Sequence, residues 1–308
     1  MTLDLSEISV KLLWRCQARM ANSVSETTAL RTACFLGRLV HACVASLRRR
    51  VESDISRAFA FHGRARSPVE VSRIARRAFI NMSMNVVEFL RFEQLDRQTI
   101  NNKVTVIGRQ YLDDVIAAGK GGVICTLHLG NWELQGAWYG LNGYPLNAVY
   151  IDQYNHVLGE EMNRLRRSVG IGLVPRSRLK RAVRLLKSGE LVGVLADQDG
   201  GSRGEYCKLF GRLVSAPPTP AWLAGRGESP VIPVHMLRTR AGQHNLVIHP
   251  PIAAPGRSKS ERKAFTRMMY RFFEYIILAN PEQWLWIYSR WKDRYHTDRY
   301  EEERVDGA

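Results

Sequence analysis

The stretch Gly122-Val-Ile-Cys-Thr-Leu-His128-Leu-Gly-Asn-Trp-Glu133 decides the fold. Residues 123–127 form a short apolar run behind two glycines, the signature of a buried strand. His128 falls where that strand ends. Gly130 and Asn131 supply turn and cap chemistry, and a helix can start at Trp132. A histidine at the carboxyl end of a buried strand, before a helix N-terminus, stands where open α/β sheets hold their ligands. Glu133 follows in the first helical turn, close enough to fold back towards the ring. A carboxylate there would fix the tautomer of His128 and make it a general base. The spacing equally allows a core histidine satisfied by backbone, with Glu133 a solvated charge at the helix start.

Working outward, strands and helices alternate from Lys103. Strands are expected at 104–107, 123–127, 146–151, 171–174, 191–196, 231–237 and 245–248. Helices are expected at 111–118, 157–168, 179–187 and 258–278. Such alternation predicts an α/β fold, a mixed central sheet flanked by helices. Residues up to about Leu95 read as an N-terminal helical region. Ser67, Pro68 and Glu70 make a capping box with proline in the first turn. Beyond them Val71, Ile74, Ala78, Met82, Val86, Phe89 and Leu90 recur at helical spacing as a core stripe. The expected organisation is a membrane-interfacial helical region over 1–66, a catalytic domain over 67–295, and a charged tail over 296–308.

The chain holds 45 Lys and Arg against 29 Asp and Glu, a formal net charge of +16. That balance calls for an anionic partner: nucleic acid, an anionic membrane surface or a phosphorylated substrate. The basic residues are spread over many helices without a nucleic-acid-binding motif, so no nucleic acid is expected. The five cysteines are scattered, which excludes a zinc knuckle and a disulfide framework. The first residues carry acid rather than a basic region, so no cleavable signal peptide is expected. The most apolar early stretch, residues 29–47, is interrupted by Arg31, Arg38 and His41, and reads as an amphipathic interfacial helix.

His128-Leu-Gly-Asn-Trp-Glu133 resembles the His-x4-Asp/Glu box of the glycerolipid acyltransferase superfamily. More narrowly it is similar to that of the bacterial lipid A biosynthesis (lauroyl/myristoyl) acyltransferases. Three further blocks follow in that family's order. Asn163-Arg164-Leu-Arg166-Arg167-Ser-Val-Gly170 resembles the block in which a basic residue holds acceptor oxygens; Arg164 and Arg167 are the favoured candidates. Residues 187–204 resemble the second large block, a strand ending in Asp197-Gln-Asp199 before a glycine-rich loop; either aspartate can orient basic residues or the acceptor. Pro281-Glu-Gln-Trp-Leu-Trp-Ile-Tyr288-Ser289-Arg290-Trp-Lys292 resembles the C-terminal signature, with Tyr288 and Ser289 where His and Arg are usual. Leu209-Phe210-Gly211 resembles the family's Phe-Phe-Gly turn, and the strand carrying Arg238 also fits.

The resemblance implies transfer of a fatty acyl chain from a thioester to a glycolipid hydroxyl. His128 and Glu133 would be catalytic. Asn131, Arg164, Arg167, Asp197, Asp199, Arg238 and Arg290 would bind substrate, with Asn131 also readable as a helix cap. It implies no metal and no cofactor beyond the co-substrate, acyl carrier protein or acyl-CoA. The implied acceptor is an anionic glycolipid, first a lipid A precursor, then a phosphatidylinositol mannoside or another polar lipid. The implied location is the cytoplasmic face of the inner membrane, peripheral or monotopic, although family members usually begin with an apolar anchor that 29–47 does not supply. A non-catalytic membrane-binding or nucleic-acid-binding protein is the rival from another class. Cys125 reads as buried packing, and no nucleophile is required.

Overall fold

A computed structural model describes residues 5–151 and 155–291. Four helices come first: α1 Leu5–Asn22, α2 Glu26–Cys43, α3 Ala45–Phe61 and α4 Pro68–Leu90. After α5 Arg97–Lys103 the order is β1 Val104–Ile107, α6 Arg109–Ala117, β2 Gly122–Thr126, α7 Trp132–Leu141, β3 Leu146–Tyr150, α8 His156–Ser168 and β4 Gly172–Pro175. Then come α9 Leu179–Lys187, β5 Leu191–Leu195, β6 Glu205–Leu209, β7 Arg212–Ala216, α10 Thr219–Gly227, β8 Val231–Arg240, β9 Gln243–Ile248 and α11 Lys259–Ala279.

Seven strands form one sheet in the order β1-β9-β8-β2-β5-β3-β4. Within this sheet, among the described residues, only the β8–β9 pair is antiparallel, so β9 and β1 run against the rest. This is the mixed α/β sheet expected from the alternation. β2 lies at its centre and is buried at every position, which is why it reads as an uninterrupted apolar run. Core side chains pack on both faces. Val123, Cys125 and Val194 face the helices α10 and α11, whereas Ile124, Leu191 and Ile232 meet Leu134 and Trp138 of α7.

Local chemistry sets the helix ends. Ser67 and Glu70 make the expected reciprocal cap on α4, with Pro68 at its start. Ser258 and Glu261 repeat that device on α11. Two features depart from expectation. Residues 29–47 are not one helix: α2 ends at Cys43, and α3 leaves it at 93°. Neither helix alone is long and apolar enough to cross a membrane. α2 buries Ala29, Leu30, Ala33 and Gly37, and exposes Phe35, Leu36, Leu39 and Val40. Gly37 permits this packing, since a Cβ there would stand 2.7 Å from the Ile80 Cα of α4. The second departure is a β6–β7 hairpin whose two-residue turn is Phe210-Gly211, both at positive φ. Lys292 and the tail 296–308 lie outside the described residues.

Candidate active site

β2 and β5 run parallel, with Cys125 opposite Val194 and Thr126 opposite Leu195. Carried two residues further, that register brings His128 level with Asp197. The His128 Nδ1 lies 2.7 Å from Asp197 Oδ1. Asp197 Oδ2 accepts from the backbone amide of His128 at 3.0 Å and from the indole N–H of Trp284 at 2.8 Å. An ionised carboxylate can only accept, so Nδ1 carries the ring proton and Nε2 is left as the base. Burial alone would raise the Asp197 carboxyl, but the charge and hydrogen bonds of His128, with Trp284, outweigh it and hold it below its ordinary value. Trp132 and the imidazole pack edge to face, ring centres 4.9 Å apart.

His128 opens onto a cavity of about 200 Å³. Trp132, Glu133, Arg166, Gln198 and Asp199 supply its polar lining. Ile124, Leu146, Ala148, Ile171 and the backbone of Gly136 and Gly193 supply an apolar wall. An open groove of about 490 Å³ adjoins it and shares Ile151, Arg176 and Thr219. Arg203, Leu179 and Trp222 also line that groove.

The turn after His128 is tightly held. Gly130 has φ 60°, and a Cβ there would fall 1.9 Å from the carbonyl oxygen of Met236, so only glycine fits. Its amide donates to the Gln283 carbonyl at 3.0 Å, and the Leu285 amide donates to the His128 carbonyl at 3.0 Å. The Pro-Glu-Gln-Trp segment thus clamps the strand end, and its Trp284 holds Asp197. Asn131 caps α7, its Oδ1 accepting from the Leu134 amide at 3.0 Å.

Several expected roles are corrected. Glu133 does not hold His128: its two carboxylate oxygens accept from Arg166 Nη2 at 2.6 Å and Nε at 3.0 Å. The ring nitrogen it would have held is already committed to Asp197. In the basic block the cavity-lining arginine is Arg166, not Arg164 or Arg167. Arg164 turns to Glu161 and Glu93, and Arg167 is exposed near Glu160. Asn131, Asp197, Arg238 and Arg290 are buried and bond other protein groups; Asp197 orients a basic residue, His128, one of the two roles expected of it. Asn131 is a cap and donates to Glu88 at 2.6 Å. Arg238 forks onto Glu88. Arg290 donates to the Ser215 carbonyl at 2.9 Å and the Tyr270 hydroxyl at 2.8 Å. Asp199 remains at the cavity; its Oδ1 accepts from the Gly201 amide at 3.0 Å, and its own amide donates to the Tyr288 hydroxyl at 3.3 Å. Tyr288 therefore steadies the Asp199 loop.

Cys125 is fully buried in β2, and burial pushes its thiol far up, which suits packing and not nucleophilic attack. Among the described residues no cluster of three or more His, Cys, Asp or Glu side chains could hold a metal ion.

The amino-acid sequence is similar to those of known acyltransferases. The family model for bacterial lipid A biosynthesis acyltransferases matches residues 13–293. Over 194 residues the chain is 28% identical to the lipid A biosynthesis lauroyltransferase of Escherichia coli K12, covering 61% of this chain and 62% of that one. It is 25% identical over 264 residues to the palmitoleoyltransferase of the same organism, covering 85% of each. It is 23% identical over 209 residues to a phosphatidylinositol mannoside acyltransferase of Mycolicibacterium smegmatis, covering 66% of this chain and 67% of that one. The chain belongs to the bacterial lipid A biosynthesis acyltransferase family.

Proposed function

We propose that the protein moves a fatty acyl chain from a thioester directly to a hydroxyl of an anionic glycolipid, with His128 as general base and Asp197 as its partner. The observation that carries this is the 2.7 Å contact between His128 Nδ1 and Asp197 at the edge of a cavity with an apolar wall. The acyl chain lies along Ile124, Leu146, Ala148 and Ile171. The acceptor hydroxyl gives its proton to His128 Nε2 as its oxygen attacks the thioester carbonyl. Asp197 stabilises the imidazolium that forms. The carbon–sulfur bond then breaks, and the thiolate recovers the proton from His128. The N-terminus of α7 favours the negative charge of the tetrahedral oxygen. The Gly130 amide takes no part, because Gln283 occupies it.

Arg166 and Glu133 stand at the polar lining, where they meet the headgroup. Arg176 and Arg203 in the adjoining groove suit the phosphate of a thioester carrier, acyl carrier protein or coenzyme A. The exposed Phe35, Leu36, Leu39 and Val40, with Arg31 and Arg38 on the same helix, suit a peripheral seat on an anionic membrane, with residues 1–66 as its interfacial part. A lipid A precursor is the first acceptor. A phosphatidylinositol mannoside is the second reading, supported by relatives of that name at similar identity. The test is a panel: radiolabelled acyl thioester with each acceptor in turn, and mass spectrometry of the lipid products. Label in the lipid A precursor supports the first reading, label only in the mannoside supports the second, and label in neither overturns both.

A further inference from the structure

Close to the His128 turn lies a buried charged knot that the transfer chemistry does not use. Glu88 of α4 accepts both prongs of the Arg238 guanidinium from β8, each at 2.6 Å. His244 of β9 approaches the same carboxylate at 3.2 Å. Burial alone would raise the Glu88 carboxyl, but hydrogen bonds from Arg238 and His244 hold it well below the usual carboxylate range. All three side chains are within a tenth of full burial, and none lines the His128 cavity.

A buried ion pair is not by itself a gain in stability. Removing two charges from water costs several kcal/mol per ion, and a well-packed apolar pair often serves stability as well or better. This knot is also imperfect, since Arg238 Nε and His244 Nδ1 are buried without a hydrogen-bond partner. What it does accomplish is to reach the catalytic turn at two points. Asn85, which accepts from Arg238 at 2.7 Å, donates through its Nδ2 to the Gly130 carbonyl. Glu88 accepts from Asn131, the cap of α7, at 2.6 Å. On the same strand, the backbone amide and carbonyl of Arg238 bond the two ends of the Gln283 amide, at 2.7 and 3.0 Å. Gln283 in turn holds Gly130.

We propose that Glu88, Asn85 and Arg238 are positioning residues that fix the Gly130–Asn131 turn, and so hold His128 and the first turn of α7 against Asp197. The planar fork of arginine is needed because one group must meet Glu88 bidentately and Asn85 at once. Asn85 links the knot to the turn. It alone among these side chains both accepts from the knot and donates to the turn carbonyl.

The kinetic half of the test rests on the acyl transfer proposed above; the exchange half does not. Asn85→Asp keeps the acceptor for Arg238 but turns a carboxylate oxygen towards the Gly130 carbonyl. In the full chain, hydrogen–deuterium exchange of peptides spanning 128–134 should quicken at least tenfold, with the far strands β3 and β4 unchanged. Turnover should drop about a hundredfold, the scale of an ångström-sized misplacement, with KM for both substrates held within a few-fold. Arg238→Lys, which keeps the charge and loses the fork, should do the same. Glu88→Gln keeps the side-chain shape and should loosen the same peptides. Unchanged exchange at 128–134 in folded variants overturns the proposal, as does quickened exchange with wild-type kcat or a loss carried by KM alone. If the wild-type protein transfers no acyl group, the functional reading fails, while the exchange result still decides whether the knot holds the turn.

Discussion

Replacing Asp197 by asparagine exchanges one oxygen for an NH2 group, yet the structure predicts that it inverts the proton pattern of His128. Asp197 Oδ2 receives two donors, the His128 amide and the Trp284 indole. An asparagine here must turn its only oxygen towards them. Its NH2 then faces His128 Nδ1 across the 2.7 Å contact. Two N–H groups cannot share that contact, so Nδ1 must become the acceptor and the proton moves to Nε2. The nitrogen facing the cavity can no longer take a proton from the acceptor. A wrong-tautomer substitution of this kind costs about 10⁴ in turnover in a serine protease triad. A loss of 10³ to 10⁴, about 4–5.5 kcal/mol of transition-state stabilisation, is therefore expected here. The assay is single-turnover transfer from an acyl thioester with saturating glycolipid, alongside equilibrium binding of the thioester, which should stay near wild type. Asp197→Asn turning over within tenfold of wild type, with Glu133→Gln nearly inactive, would return the role to Glu133.

Three further outcomes follow from particular contacts. Glu133→Ala leaves Arg166, mostly buried and cavity-lining, without its carboxylate; urea denaturation should show a loss of about 3 kcal/mol, and adding Arg166→Met should recover much of it, whereas additive losses would contradict the pairing. Gly193→Val places side-chain carbon on the cavity wall, where even a Cβ stands 3.3 Å from the Leu146 Cδ1; acyl-chain preference should move to shorter thioesters, each displaced methylene discriminating by about 1–3 kcal/mol, and an unchanged preference would show that the chain lies elsewhere. His235 is pushed down to about 4 by burial and by the neighbouring His249, against an ordinary 6.5. The unfolded chain therefore binds a proton that the folded one refuses between pH 6.5 and about 4, so stability is full above that window, falls through it by about 3 kcal/mol, and levels off below. His235→Asn should flatten this limb of the stability profile, and an unchanged slope would exclude His235 as its source.

Much of this was legible in the chain because local rules and burial agreed. β2 reads as a strand because each of its positions is buried, and the caps at Ser67 and Asn131 lie where side-chain oxygens meet free amides. The partner of His128 was not legible, for a reason of distance in sequence. Glu133 is five residues away, but it rides on the first turn of α7 and swings to α8. Asp197 is 69 residues away, yet it ends the adjacent strand at the same level. The signal was present in two apolar runs that end in His and Asp, and it needed the strand order to become a pair. Arg166 was passed over because three arginines in one helical block look alike until α8 is placed. The strands β6 and β7 escaped, although the resemblance marks a turn at Leu209-Phe210-Gly211 between them. A phenylalanine at φ 51° is no ordinary turn residue. Here Phe210 is held among Trp284, Trp286 and Trp291, and its amide is held by Glu274. The break after Cys43 is marked by neither proline nor glycine, so residues 29–47 read through it.

The most direct measurement is transfer itself, made with wild-type protein and His128→Ala side by side. Each is incubated with a labelled acyl thioester and a lipid A precursor, and both the lipid product and the intact protein mass are recorded. Labelled lipid is expected from wild type, with a loss of at least 10² in rate for His128→Ala and no acyl adduct on either protein when acceptor is withheld. Equal transfer by the two proteins, or a stable acyl-protein formed without acceptor, would contradict this mechanism.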